Sequence, residues 1–206
     1  MTEYYDHNHF SSLEKDYEND YLFDLNLIQP IFKNYSLKDN KLDENIYNEK
    51  YLIRPLSLSD YNHGYIELLR QLTECGKITY EEFKQRFYQM KQCLNTYYIL
   101  VIEDINLNKQ IIGTTTLICE KKFIHQLGIR GRIEDVVIDN QYRGQYLGKL
   151  LVNLLTEFAN IICNCYKISL ECKDHLISFY RQLGYDHEDK QNYLCQRFQK
   201  SSTKNQ

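Results

Sequence analysis

At 206 residues with 43% apolar side chains, the chain has room for one ordinary domain with a real core plus a tail, and its net charge of −3 offers no broad basic face for holding nucleic acid. No run of about 18 apolar residues is present, and the opening MTEYYDHNHF has neither the basic nor the apolar region of a secretory leader, so a cytoplasmic protein without a membrane span is expected. Seven cysteines without a C-x-x-C pair point to reduced, mostly buried thiols and away from a metal site or a disulfide framework.

Residues 1–50 are rich in Asp, Asn, Glu, Lys and Tyr, and 34–50 is almost wholly polar. A polar extension over 1–50, a domain over 51–200 and a short tail at 201–206 are therefore expected. Within the extension, YLFDLNLIQPIF at 21–32 is an apolar island, read as a loosely held tail in preference to a segment docked on the domain or on a partner. Residues 51–56 read as an opening strand, with Pro55 marking its end or an edge. Ser59 or Asp60 is the expected cap of a helix that presents Tyr65, Leu68, Leu69 and Leu72 and stops at Gly76. Thr79 and Glu82 form a capping box for a second helix with Phe83, Phe87 and Met90 on one side. The β-rich runs 97–103 and 110–119, joined by a short polar link, predict an antiparallel hairpin. Residues 120–132 carry Lys121, Lys122, His125, Arg130 and Arg132 among Gly128 and Gly131.

IEDVVI at 133–138 is a β-branched run suited to a buried strand, and Asp139 and Asn140 follow as turn formers. The loop Tyr142-Arg143-Gly144-Gln145-Tyr146-Leu147-Gly148 then opens a helix. Its apolar positions Leu147, Leu150, Leu151, Leu154, Leu155, Phe158, Ile161 and Ile162 fall at i, i+3, i+4, i+7 spacing. YKISLEC at 166–172 alternates like a strand, 176–183 reads as a brief helix ended by Gly184, and 193–198 as a last strand. Helices and strands alternating in this way predict an α/β (α+β) domain around one mixed sheet in a single layer.

Strand, glycine loop and helix together make an anion site. The N–H groups of the first helical turn have no partner within the helix, and Gly144 and Gly148 have no Cβ to keep a ligand away. Arg143 and Lys149 add full charges, so a phosphate or pyrophosphate is the expected guest. A P-loop needs four residues between its glycines and Ser or Thr after the lysine, whereas three intervene here and Leu150 follows. The G-x-G-x-x-G pattern is absent, and no cysteine or histidine stands in a recognisable nucleophile spacing.

The ordered set LTECG at 72–76, KFIH at 122–125, IEDVV at 133–137, YRG with LGKLL from 142 to 151, CYKI at 165–168, LEC at 170–172, FY at 179–180, LGY at 183–185, and NY and RF near the end resembles the GNAT superfamily of acetyl-CoA-dependent N-acetyltransferases. The resemblance runs over about 51–200 and lies nearest the branch that acetylates the amine of D-glucosamine 6-phosphate for UDP-N-acetylglucosamine synthesis. It implies a mostly antiparallel mixed sheet flanked by helices, acetyl-CoA as co-substrate, no metal, and a homodimer with shared active sites. It places the acetyl carbonyl on backbone N–H groups of Val136, Val137 and Ile138, and the CoA arm on Arg143, Gly144, Gln145, Tyr146, Leu147, Gly148 and Lys149. Tyr180 matches the tyrosine that hydrogen-bonds or protonates the CoA sulfur, and Glu171 lies near the acetyl group. Glu134 and Asp135, with the Val136 backbone, are implied in sugar binding and catalysis. Lys122, Phe123, Ile124, His125 and Arg197 are implied around the sugar phosphate, Thr73 at the sugar, and Tyr166 and Lys167 across the dimer. Two positions depart from the pattern: Tyr146 stands where Gly or Ala is frequent, and Leu176 where relatives often carry Asn. The other readings are an acetyltransferase of this fold acting on a polyamine, an antibiotic amine or a protein N-terminus, and a non-catalytic CoA-binding or scaffold module.

Overall fold

Runs such as YYILVIED are apolar at both odd and even positions, which suits a strand covered on its two faces. In the computed structural model, which describes residues 21–34 and 49–198, that is where the run lies. Strands β1 (Tyr51–Pro55), β2 (Tyr97–Asp104), β3 (Gln110–Lys121), β4 (Ile129–Ile138) and β5 (Cys165–Leu170) stand side by side in that order. All pairings are antiparallel except β4 with β5, which is parallel. Helices α1 (Gln29–Asn34), α2 (Tyr65–Arg70), α3 (Tyr80–Gln92) and α4 (Leu147–Ile161) accompany them.

Two cores follow from the two-residue period of a strand. Tyr98, Leu100 and Ile102 of β2 belong to one, together with Leu150, Leu151, Leu154, Leu155 and Phe158 of α4. Ile99 and Val101 belong to the other, with Tyr65, Ile66 and Leu68 of α2 and Phe83 and Phe87 of α3. The sheet is therefore covered on both faces, a mixed and mostly antiparallel sheet flanked by helices as the resemblance implies. Each fully buried leucine of α4 contributes about 1.5–3 kcal/mol by leaving water.

The apolar island at 21–32 is docked. The Leu22 N–H donates to the Leu56 carbonyl at 2.8 Å, Tyr21 bridges to Ser57, and Ile28 and Ile31 are buried in the α4-side core. Phe23 meets Tyr98 edge-on at 5.1 Å and Phe158 at 5.7 Å. The expectations for 1–20, 35–48 and 201–206 fall outside the described residues.

The first helical region differs from expectation. Ser57 is the cap, in a capping box with Asp60, and a 3-10 turn, Leu58–His63, precedes α2. Gly64, in the left-handed region at φ 84°, separates the two, and α2 ends six residues before Gly76, leaving Leu72 exposed. Asp60 is held in that role by buried Arg54, which donates to it at 2.7 and 2.8 Å and to Glu103 of β2 at 2.7 Å. That partnership joins β1, β2 and the turn, and no local pattern reveals it. The Thr79–Glu82 box on α3 is as expected, with the Glu82 carboxylate accepting the Thr79 N–H at 2.8 Å. β4 begins at Ile129, four residues before the expected start, and only Cys119 of the seven free thiols is buried. No helix among the described residues is long and apolar enough to cross a membrane.

Among the described residues, 173–198 form a second compact unit. It holds a 3-10 turn, Asp174–Leu176, helix α5 (Ile177–Arg181), and Gly184 at φ 84°. The expected last strand at 193–198 is irregular, with Tyr193, Leu194 and Phe198 exposed. A strand exists only through pairing, and residues 193–198 take no strand conformation in the described structure.

Candidate active site

The strand before the glycine loop is interrupted by one extra residue. Thr114 of β3 pairs with Val137 of β4, but Thr116 pairs with Glu134, so Asp135 and Val136 face the single residue Thr115. Asp135 takes φ 52° at this bulge. An unbulged strand would send Glu134 and Asp135 to opposite faces. Here Glu134 forms an ion pair with Arg132, while the charge of Asp135 acts on the hydroxyl of Tyr65 at the start of α2. Desolvation raises the Asp135 carboxyl above its ordinary range although the residue is reached by solvent. Burial likewise pushes the Tyr65 hydroxyl well up, so it remains protonated beside Thr114, whose hydroxyl donates to the Leu100 carbonyl at 2.9 Å.

Just before the bulge the sheet forks. Pairing of β4 with β5 ends at Ile133 and Leu170, whereas β4 stays paired with β3 as far as Ile138. Glu134 to Ile138 thus have no β5 ladder on their outer edge, and a carbonyl could lie along backbone N–H groups there. Arg132 closes the base of the fork, pairing with Glu134 and with Glu171 at 2.5 Å. Glu171 is therefore committed to an ion pair, and Arg130 donates to Ser169 at 2.7 Å.

The loop leaves β4 through a 3-10 turn, Asn140–Tyr142. Gly144 sits at φ 80° with no atom within 4 Å of where a Cβ would be, so its backbone is open to a guest. Tyr146 occupies the N-cap of α4 at φ 61°, a left-handed conformation that favours glycine. The first turn of α4 contains Gly148 and no acidic residue, and Lys149 lies 5.5 Å from the Tyr146 ring. Arg143 Nε donates to the Ile138 carbonyl at 3.1 Å. Two contacts missed by local reading pin the loop to the sheet: Tyr51 donates to Gln145 at 2.8 Å and Tyr142 to Asp104 at 2.7 Å. Burial, followed by that bond to a carboxylate, pushes the Tyr142 hydroxyl up to about 12, so it stays a donor. Lys50 lies over both rings, at 5.1 Å from that of Tyr51 and 5.3 Å from that of Tyr142.

Of the residues implied at the sugar phosphate, Lys122, Phe123, Ile124 and His125 lie on a turn between β3 and β4, and Arg197 does not. The Lys122 N–H donates to the Gly128 carbonyl at 2.9 Å, and its ammonium pairs with Glu120, holding that carboxyl below its usual range. His125 stacks on Tyr166 of β5 with ring centres 4.3 Å apart. A Cβ at Gly128 would lie 2.9 Å from both the His125 carbonyl and the Tyr166 ring, so the stack requires glycine there. Phe123 and Leu127, 95% and 71% exposed, border a cavity of about 300 Å³ with Lys121, Lys122 and Ile129. Ile124 is exposed as well, Lys167 follows Tyr166 on β5, and Thr73 lies at the exposed end of α2 with its N–H on the Leu69 carbonyl. In the second unit, Tyr180 of α5 is buried, edge-on to Phe179 at 4.9 Å and near Tyr185 at 6.2 Å. Arg197 there is exposed on the irregular end segment.

The arrangement can receive a pyrophosphate at a helix start and a carbonyl at a strand fork beside it, without a nucleophilic side chain. Among the described residues, no group of three His, Cys, Asp or Glu is placed to hold a metal. Known proteins are similar to this chain in sequence and fold. The model of the acetyltransferase (GNAT) family matches residues 59–185. A probable glucosamine 6-phosphate N-acetyltransferase of Drosophila melanogaster is 48% identical over 133 residues, 65% of this chain and 59% of that one. The chain thus spans about three-fifths of that relative's length. Glucosamine 6-phosphate N-acetyltransferase 1 of Dictyostelium discoideum is 40% identical over 146 residues, 71% of this chain and 91% of that one. The crystal structure of glucosamine-6-phosphate N-acetyltransferase from Arabidopsis thaliana superimposes with a TM-score of 0.68 at 36% identity, covering 72% of this chain and 99% of that one.

Proposed function

We propose, for a chain that belongs to the acetyltransferase (GNAT) family, that it transfers the acetyl group of acetyl-CoA to the amine of D-glucosamine 6-phosphate. The products are N-acetyl-D-glucosamine 6-phosphate and CoA, for UDP-N-acetylglucosamine biosynthesis. The observation that carries the reading is the fork of β4 from β5 directly before a pinned glycine loop. It supports direct transfer: the thioester carbonyl lies along the N–H groups of Val136 to Ile138, and the pyrophosphate meets Arg143, Gly144, Gly148 and Lys149. Glu134 and Asp135 hold the sugar near its amine.

The neutral amine attacks the carbonyl carbon, the C–S bond breaks, and the departing thiolate takes a proton from the Tyr180 phenol; the nitrogen releases its extra proton to water, and the phenolate is reprotonated from solvent. Lys122, His125 and Arg197 bind the sugar phosphate, for which three cationic or donor groups suit a dianion better than a cationic acceptor. The working form is a homodimer in which one copy's Arg197, Tyr166 and Lys167 complete the other copy's site. The exposed side chains of Tyr193, Leu194 and Phe198 support that reading, because apolar surface left in solvent is suited to being covered by a second copy.

The test is thiol release from acetyl-CoA with the purified protein and a panel of amines. Turnover confined to glucosamine 6-phosphate is expected. A preference for a polyamine or a peptide overturns the acceptor, and acetyl-CoA binding without turnover overturns catalysis.

A further inference from the structure

We propose that Gln71 is a positioning residue that sets the launch of the glycine loop and couples it to the end of α2. The proposal rests on the acetyl-CoA reading of the loop given above. Gln71 is the C-cap of α2, and its amide is used at both ends. Its Nε2 donates to Asp139 Oδ2 at 2.7 Å, and its Oε1 accepts the Asn140 N–H at 3.0 Å. The two residues it grips are consecutive, and they are the first two after β4.

Asp139 organises the turn that follows. Its other carboxylate oxygen accepts the Gln141 N–H at 2.9 Å, its own N–H donates to the Ile112 carbonyl at 2.8 Å, and its carbonyl accepts the Tyr142 N–H at 2.9 Å. Gln71 supplies the bonds on the α2 side of this turn, while Tyr142 and Gln145 anchor the later loop to β2 and β1. The loop is thus pinned on two sides, and Gln71 links it to the end of α2, two residues before Thr73. Few side chains can do this. The group must offer a donor to a carboxylate and an acceptor to a backbone N–H within one planar unit, which is the chemistry of a primary amide. Glutamate in its ionised form would set a carboxylate against Asp139.

The bonds are exposed and compete with water, so each contributes modestly. Their loss is felt where the loop must be ordered before it binds, that is, in affinity for the CoA moiety. Gln71→Ala is expected to weaken acetyl-CoA binding, measured by calorimetry without any acceptor, by about 3- to 10-fold. The KM for the amine and kcat should change far less.

Gln71→Glu gives a signature that mere destabilisation would not. As a protonated acid it can donate to Asp139 and accept from Asn140, and on ionising it repels Asp139. The other charges nearby on α2, Glu67 and Arg70, are paired with each other at 2.9 Å. Acetyl-CoA affinity of Gln71→Glu should therefore approach that of the parent near pH 5 and fall away as pH rises, against a parent profile measured alongside. Parent-like affinity of Gln71→Ala, or a deficit in Gln71→Glu that does not vary with pH, overturns the proposal. Calorimetry separates it from the acceptor reading: a parent protein that binds acetyl-CoA but acetylates no sugar phosphate overturns that reading and leaves this test intact.

Discussion

The glycine loop and the turn at 122–128 both rely on left-handed residues, yet they are held in different ways. In the loop, Tyr146 at φ 61° is followed by Leu147, which is buried, and Gln145 and Tyr142 are bonded to β1 and β2. In the turn, His125, Gln126 and Leu127 take φ of 53°, 57° and 62° in succession, while Phe123, Ile124 and Leu127 are exposed. A left-handed non-glycine residue costs about 1–2 kcal/mol. In the loop the core offsets that cost. In the turn, the Lys122–Gly128 hydrogen bond and the His125–Tyr166 stack are what hold the chain. The loop is therefore held by the core of the first unit, whereas the turn presents apolar surface and a cation tied to Glu120.

Four substitutions would break or sharpen this contrast. The largest effect is expected from Tyr180→Phe, which removes the proton for the thiolate. Its kcat should fall by about 10²–10⁴-fold while acetyl-CoA binding holds; an unchanged kcat at saturating substrates removes Tyr180 from the chemistry. Next, Arg197→Ala should raise the KM for glucosamine 6-phosphate by roughly 10- to 100-fold, with the KM for acetyl-CoA little altered. If the two constants move together, Arg197 does not belong to the acceptor side.

Asp135→Asn should lower kcat/KM by about tenfold and raise stability. Desolvation holds the folded-state pKa of Asp135 above its ordinary value, so the folded protein binds that proton more tightly than the unfolded chain. The resulting cost to folding is absent in acid and grows as pH rises from the ordinary carboxylate range through the raised value. The Tm advantage of Asp135→Asn, followed by calorimetry from pH 4 to 8, should therefore widen with pH. Asn also tolerates the left-handed backbone, so a constant advantage would trace to backbone preference and not to charge. The smallest effect belongs to Glu120→Gln, which frees Lys122 and should lower the sugar-phosphate KM by about threefold or less, since half-exposed ion pairs contribute little. An increased KM would mean that Glu120 positions the ammonium.

What was legible in the residues was what depends on neighbours a few positions away. The leucine spacing of α4, the capping box of α3 and the hairpin of β2 and β3 come from periods of 3.6 and 2 and from side chains bonding their own backbone. The strand, loop and helix around Gly144 were legible for the same reason, and the ordered motifs identified the family. Only the tertiary structure decided the rest. The bulge at Asp135, the parting of β4 from β5, the commitment of Arg132 and Glu171, and the grip of Gln71 on Asp139 all join residues distant in sequence. The same holds for the N-terminal island, whose Ile28 and Ile31 are apolar in any tail but buried only because α4 and β2 leave a space for them. Residues 193–198 carry a strand's pattern without a strand, because a β-strand is defined by the partner that bonds to it.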